Sequence, residues 1–301
     1  MLYIIYNDNI PNRLSGVLTF MKSIIIMFEE LGVQYEEVPN IMSAYEKINN
    51  NDSIFFCTSI GGDCRKNESI FCDMQSKNVK IFVYNTEDIY NSEKWKKYLK
   101  NFLNSTPHCV MDFSKQRLNI INNPNKFQVT PGYHKYLENI KNQLLLPGNY
   151  PKKIDVLMYG SINERRATIE TLLKRSGVKV KFKKRYINHT MQLRDTMSSK
   201  IVLDTYFHGV TGIDFFRCSF LASNKIFFIH ETPSIEDCDE EFLNTVVHCT
   251  YDNIHSKCIE WLSKTQEERD AKALEVYNLF KKNYNLEEQF KNNSLIQSLC
   301  E

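Results

Sequence analysis

The sequence predicts an α/β protein of two successive domains, each built on a mostly parallel sheet. Three observations carry that reading. Short apolar runs of strand length alternate with helical segments along nearly the whole chain, the pattern of βαβ units joined by right-handed crossovers. The alternation pauses at Leu145–Lys153, where Pro147-Gly148-Asn149-Tyr150-Pro151 forms the best linker in the chain. It then restarts in the same style. With 301 residues there is room for two ordinary domains, expected at 1–148 and 149–301.

In the first half, Leu2–Tyr6 reads as a strand, and Leu18–Leu31 as a helix with Met21, Ile24, Ile25 and Phe28 on one face. Val33–Val38 is a second strand, followed by a short helix over Ala44–Ile48. Ser53–Ile60 is a third strand running into Gly61-Gly62-Asp63, and Lys80–Tyr84 a fourth. Glu93–Leu103 is helical, with Trp95, Tyr98 and Phe102 spaced along it. Val110–Phe113, a short helix over Gln116–Ile121 and Phe127–Val129 complete the half.

The second half predicts strands at Asp155–Tyr159, Val178–Phe182, Ile201–Phe207, Lys225–Glu231 and Val246–Tyr251. Helices fall at Glu164–Arg175, Met191–Ser198, Ile213–Ala222 and Ile254–Ser263, and a long polar helical tail runs from about Gln266. Lys179, Lys181 and Lys183 alternate with Val178, Val180 and Phe182, which reads as one solvated strand face beside Lys184 and Arg185. Two α/β halves around a hinge place a cleft between the carboxyl ends of two sheets, where ligands of such sheets bind.

Composition narrows the classes. Hydrophobic content of 42% with 25% charged residues is that of a globular protein. A net charge of +2 argues against a dedicated nucleic-acid binder. No apolar stretch is long enough to span a bilayer, and Met1–Asp8 lacks the basic start of a signal peptide. The nine cysteines are scattered without a paired CxxC motif, which points to free thiols in a reducing, cytoplasmic setting.

The most informative stretch is Asp155–Arg166. Val156–Tyr159 is a buried strand, Gly160 permits a tight turn, and Asn163 is a good cap for a helix whose first turn carries Arg165 and Arg166. A helix N-terminus with two guanidinium groups is suited to an anion, so a nucleotide or phosphorylated ligand is one reading; an ordinary strand–turn–helix with solvated arginines is the other. There is no GxGxxG and no GxxxxGK[ST], so neither a dehydrogenase nor a P-loop signature applies.

An ordered series of phrases then resembles one glycosyltransferase group. It comprises Tyr84-Asn85-Thr86-Glu87, Tyr98, Met111-Asp112-Phe113-Ser114 and Pro131-Gly132-Tyr133-His134. It continues with Asp155–Arg166, Ser199–Asp204, Gly212–Arg217 and Phe228-Ile229-His230-Glu231, spanning residues 80 to 260. That group has the GT-B fold of two Rossmann-like domains around a central cleft, and occurs in bacteria and large DNA viruses. Abundant Asn and Lys with only ten Gly suggest an AT-rich coding genome, and so a viral or AT-rich microbial source in host cytoplasm or virion.

The resemblance implies a metal-independent transfer of sugar from a nucleotide-sugar donor to a glycan, protein or small hydroxyl acceptor. The donor would lie on the second domain, with the acceptor on the first. Gly160, Ser161, Arg165 and Arg166 would hold the diphosphate, and Asp214 the ribose hydroxyls. Arg217 has two readings, a donor contact or a structural pair with Asp214. His208 and Gly212 belong either to a phosphate-wrapping loop or to a plain turn. Glu231 either reaches the donor or caps the turn at Thr232-Pro233-Ser234. Asn7, Asp8, Ser15, Gly16, Gly61 and Gly62 are acceptor-side candidates, and Asp63, Glu87 and His134 are candidate bases if the reaction inverts. Two departures stand out. Many retaining relatives carry two glutamates separated by seven residues, but Tyr206 stands eight before Asp214; and Asn224 occupies a place where relatives often have Gly. The alternatives are a non-catalytic nucleotide or sugar binder of the same ancestry, and a transferase acting on viral DNA bases.

Overall fold

The computed structural model describes residues 1–7, 15–60, 66–87, 89, 94–105, 109–143, 150–184, 189–206, 215–232 and 239–300. The chain forms two compact units, Met1–Pro131 with Leu286–Glu301, and Gly132–Asn285.

In the first unit the chain runs β1 (Leu2–Ile5), α1 (Ser15–Glu30), β2 (Tyr35–Val38), α2 (Ile41–Tyr45), β3 (Ser53–Cys57) and α3 (Glu68–Ser76). It continues through β4 (Lys80–Asn85), α4 (Lys94–Asn104), β5 (Cys109–Asp112), α5 (Lys115–Ile120) and β6 (Lys126–Gln128). The six strands lie in the order β2-β1-β3-β4-β5-β6 and every pairing is parallel. Parallel strands are covered on both faces, which is why β3 reads Ser-Ile-Phe-Phe-Cys and is buried throughout. Met21, Ile24, Ile25 and Phe28 of α1 are fully buried, as their spacing predicts. Asn40 caps α2 by accepting from the Ser43 N–H at 3.0 Å, so this helix starts three residues before the expected Ala44. The sequence reading passed over α3, a two-turn helix that buries only Phe71 and Met74.

The second unit begins with α6 (Lys135–Gln143), followed by β7 (Ile154–Tyr159), α7 (Glu164–Arg175), β8 (Val180–Lys183), α8 (His189–Met197) and β9 (Ser199–Asp204). Next come α9 (Phe215–Ser223), β10 (Phe228–Glu231), α10 (Glu240–Thr245), β11 (His248–Cys249), α11 (Ile254–Ser263) and α12 (Gln266–Asn283). Its sheet has the order β11-β10-β9-β7-β8, again all parallel. Both sheets change winding direction once, between β1 and β3 and between β7 and β9. The basic run forms edge strand β8, where Lys181 pairs with Asp195 at 2.6 Å. Strand β10 starts three residues later than expected because Lys225 turns through φ 54°. The left-handed residue at this turn is Lys225, and the neighbouring Asn224 side chain donates to the Phe220 carbonyl at 2.8 Å.

The units correct the expected division at 148/149 at both ends. Residues 132–143 belong to the second unit: the Tyr133 N–H donates to the Tyr284 carbonyl at 2.8 Å, and Glu138 accepts from the hydroxyls of Tyr133 and Tyr277. Gly132 is required there, since a Cβ would sit 1.7 Å from the Tyr284 carbonyl oxygen. The predicted single tail helix is instead α12, α13 (Leu286–Asn292) and α14 (Leu295–Cys300). The last two belong to the first unit, where Phe290 meets Phe28 edge-on at 5.9 Å. The Gln289 amide there bonds both the N–H and the carbonyl of Thr130, at 2.7 and 3.0 Å.

Candidate functional site

The carboxyl ends of β7, β9 and β10 bring together the polar groups of the second unit. Strand β7 ends at Tyr159, and Gly160 turns the chain with φ 121°, a conformation L side chains rarely adopt. Asn163 then caps α7 by accepting from the Arg166 N–H at 3.0 Å. Arg166 is buried, and its guanidinium donates to the carbonyls of Ser161 and Thr205. It therefore ties the end of β7 to the end of β9, at the crevice where the winding reverses.

Arg165 turns the other way. It forms a two-pronged ion pair with Glu231 at the end of β10, with Nη1 to Oε2 at 2.8 Å, and Nη1 also donates to the Tyr206 carbonyl at 3.3 Å. Its guanidinium lies 4.1 Å from the Tyr251 ring centre. Glu231 also accepts from the Tyr206 N–H at 3.0 Å, so both polar backbone groups of Tyr206 are clamped by this pair. Glu231 is buried, whereas the Arg165 side chain is 21% exposed. Three of its five N–H donors are engaged among the described residues, so its open face can meet an anion while its other edge stays on Glu231.

Beneath this layer lies a buried charged cluster. Asp204, the last residue of β9, binds the Arg217 guanidinium at 2.5 Å and His230 Nδ1 at 2.9 Å. Burial pushes the Asp204 carboxyl up, but Arg217 and then His230 outweigh it and leave the pKa well below the usual carboxylate range. Cys218 Sγ lies 3.8 Å from Asp204 and 3.6 Å from His230 Nδ1. Carboxylate, thiol and imidazole in such proximity would suit a metal ion by donor type. Here, however, the Arg217 cation already neutralises the carboxylate. Arg217 also stacks over Tyr159 at 4.6 Å, so in this structure it partners Asp204 and Tyr159. Across the pair, the Tyr206 hydroxyl lies 3.4 Å from His230 Nε2.

The first unit has a corresponding network at the ends of β3, β4 and β5. Asp112 is fully buried; it accepts from Asn85 at 2.7 Å, from the Ser114 N–H at 2.8 Å, and pairs with Arg117 at 2.8 Å. Burial leaves its carboxyl above the usual range despite Arg117. Asn85 and Arg117 both donate to the Glu87 carbonyl, at 3.0 and 3.2 Å, which fixes the backbone of that candidate base at the exit of β4. His134 is buried in the second unit at the start of α6, and its Nδ1 accepts from the Tyr136 N–H at 3.2 Å. That is the work of a helix cap. The structure thus gathers Gly160, Ser161, Arg165, Arg166, Arg217 and Glu231 around the ends of β7, β9 and β10. Asp63, His208, Gly212 and Asp214 lie outside the described residues.

Three residues of this site, Asp204, Tyr206 and His230, stand in the phrases read from the sequence but were given no role there. For two of them a signal was present, since Asp204 and His230 are polar residues directly following apolar ones near the strand ends, in Ile-Val-Leu-Asp and Phe-Ile-His-Glu.

Comparison with solved structures identifies the fold. Over 99% of this chain and 98% of the other, the protein superposes on Anabaena Alr3699/HepE, solved with UDP and glucose, at a TM-score of 0.62 and 9% identity. It matches a UDP-forming α,α-trehalose-phosphate synthase from Burkholderia xenovorans at 0.60 and 9% identity, over 86% of this chain and 76% of that one. WaaG, a glycosyltransferase of lipopolysaccharide biosynthesis, matches at 0.55 and 9% identity over 98% and 99%. The fold is therefore the two-Rossmann-domain GT-B fold of these glycosyltransferases. No protein-family model and no curated protein sequence matches the chain.

Proposed function

We propose that this chain is a glycosyltransferase that moves a sugar from a nucleoside-diphosphate sugar to a hydroxyl acceptor, with the donor held by the second unit. The observation that carries the reading is the arrangement at the ends of β7 and β9. A glycine turn feeds a capped helix, and an exposed face of Arg165 lies beside it. These features occupy the winding reversal of the second unit's sheet, in a fold that matches 98% of the chain of HepE solved with UDP and glucose. Transfer at an anomeric carbon needs charge stabilisation on the departing diphosphate, which helix N–H groups and a partly paired guanidinium supply. The reading takes the acceptor to be a glycan, protein or small molecule and the reaction to proceed without metal. It sets aside nucleic acid on the near-neutral net charge of +2.

Calorimetry with UDP-glucose, GDP-mannose and dTDP-glucose tests it. Binding of at least one, with nucleoside diphosphate released in the presence of an acceptor panel and unaffected by EDTA, is the expected result. Silence towards all three would end the reading. Tight binding without release under any acceptor would favour the second reading, a nucleotide-sugar sensor. That reading draws on the number of protein partners already held by Arg165 and Arg166.

A further inference from the structure

We propose that Tyr206 is the catalytic hydroxyl of this site, relaying the acceptor's proton to His230, with Asp204 as the positioning residue. The inference rests on the transferase reading above. Its geometry is that of a hydroxyl, an imidazole and a carboxylate in line: Tyr206 Oη to His230 Nε2 at 3.4 Å, and His230 Nδ1 to Asp204 Oδ2 at 2.9 Å. A hydroxyl within reach of a base that is itself oriented by a third group is the general form of an activated oxygen, and such contacts are often long before substrate binds.

Each member is fixed. Asp204 is ionised beside Arg217 and can only accept, so an imidazole holding a single proton carries it on Nδ1 and presents Nε2 as an acceptor to Tyr206. The His230 ring is fully buried, edge-on to Phe242 at 6.1 Å and to Tyr206 at 5.9 Å. The backbone of Tyr206 is held through its N–H by Glu231 and through its carbonyl by Arg165. The same ion pair that offers Arg165 to the donor therefore sets the place of the hydroxyl. Tyr206 itself is half-buried at the carboxyl end of β9, where its oxygen can meet a ligand.

In the step, the acceptor O–H bond breaks as its oxygen bonds to the anomeric carbon. The acceptor proton passes to the Tyr206 oxygen while the phenolic proton passes to His230 Nε2. The bond from the anomeric carbon to the diphosphate oxygen breaks, and its electron pair leaves with the diphosphate. The proton rests on His230 as an imidazolium hydrogen-bonded to the Asp204 carboxylate, which it shares with Arg217, and returns to solvent through Tyr206 when products depart.

The test compares wild type with Tyr206→Phe, which keeps the ring. Nucleoside diphosphate release from UDP-glucose, GDP-mannose or dTDP-glucose, whichever binds, should fall about a hundredfold or more in kcat. KM and the calorimetric Kd should stay within about threefold, a split that simple loss of packing would not produce. Nitrogen-15 spectra of labelled histidine give a readout independent of turnover, with His230 assigned from a His230→Gln variant. The wild-type ring should be protonated at Nδ1, and Tyr206→Phe should move only its Nε2 signal. Asp204→Asn should disturb the tautomer. Equal turnover in Tyr206→Phe, or a wild-type ring protonated at Nε2 alone, overturns the relay while leaving donor binding intact. No nucleotide sugar bound by wild type overturns the transferase reading and the relay with it.

Discussion

Arg165 shows how one side chain can serve structure and ligand together. Glu231 is buried, and removing its guanidinium partner leaves a carboxylate out of water without a counter-charge. Breaking such a pair costs about 3–5 kcal/mol when both partners are buried; the 21% exposure of Arg165 lowers the expectation to about 2–3 kcal/mol for Arg165→Ala. Adding Glu231→Gln should recover part of that loss in urea unfolding, because the stranded charge is gone, yet donor binding should stay abolished in calorimetry. Recovery of both together would show that Arg165 acts only through Glu231. Asp204 supplies a pH test. A carboxyl whose folded pKa lies below its unfolded value of about 4 stabilises the native state above that pH. That contribution is lost as the pH falls through the folded value. The stability gap between wild type and Asp204→Asn should therefore be full at neutral pH and shrink on acidification below about pH 4. A gap that held constant would show the Asp204 carboxyl to be unshifted by folding, and a change of the opposite sign on acidification would show it to be raised.

At the scale of the element, α7 owes its start to one amide. The Asn163 side chain accepts from the Arg166 N–H, so it both ends the turn after β7 and aims the first helical turn that carries the arginines. Asn163→Ala should cost about 1 kcal/mol in denaturant unfolding and weaken donor affinity. Asn163→Asp, which caps equally well, should keep the stability. Much of this element was legible: the strand, the glycine turn, the cap and the bounds of α7 all stand where the residues place them. What the helix tip faces was not. Which carboxylate pairs with Arg165 depends on β10, 66 residues away, and no local pattern encodes a partner at that distance. The short helices α3 and α10 were missed for a different reason. Each buries only one or two apolar side chains, too few to set a periodicity.

For the whole molecule, the return of the chain to the first unit carries a sizeable energetic consequence. Leu286, Phe290 and Leu295 are buried, each worth about 1.5–3 kcal/mol relative to exposure. Their sum is comparable with the total stability of an ordinary domain. Truncation after Asn285 should leave the first unit open to limited proteolysis, with cleavage beginning near α1, whose Phe28 loses its edge-on contact with Phe290. A truncated chain as resistant as the full one would show the last two helices to be dispensable. No helix among the described residues is long and apolar enough to cross a membrane.

By itself the sequence determined two parallel α/β layers, the order of their strands along the chain, the glycine turn and the arginine-bearing helix. These follow from local rules: apolar runs, caps and residues that tolerate unusual backbone angles. Only the tertiary structure decided that Asp204, His230 and Tyr206 share one site, that Arg217 answers to Asp204, and that the chain's last helices return to the first unit. Those choices depend on buried charges finding partners and apolar faces finding cover across long sequence separations. Such pairings come into being only when the sheets assemble.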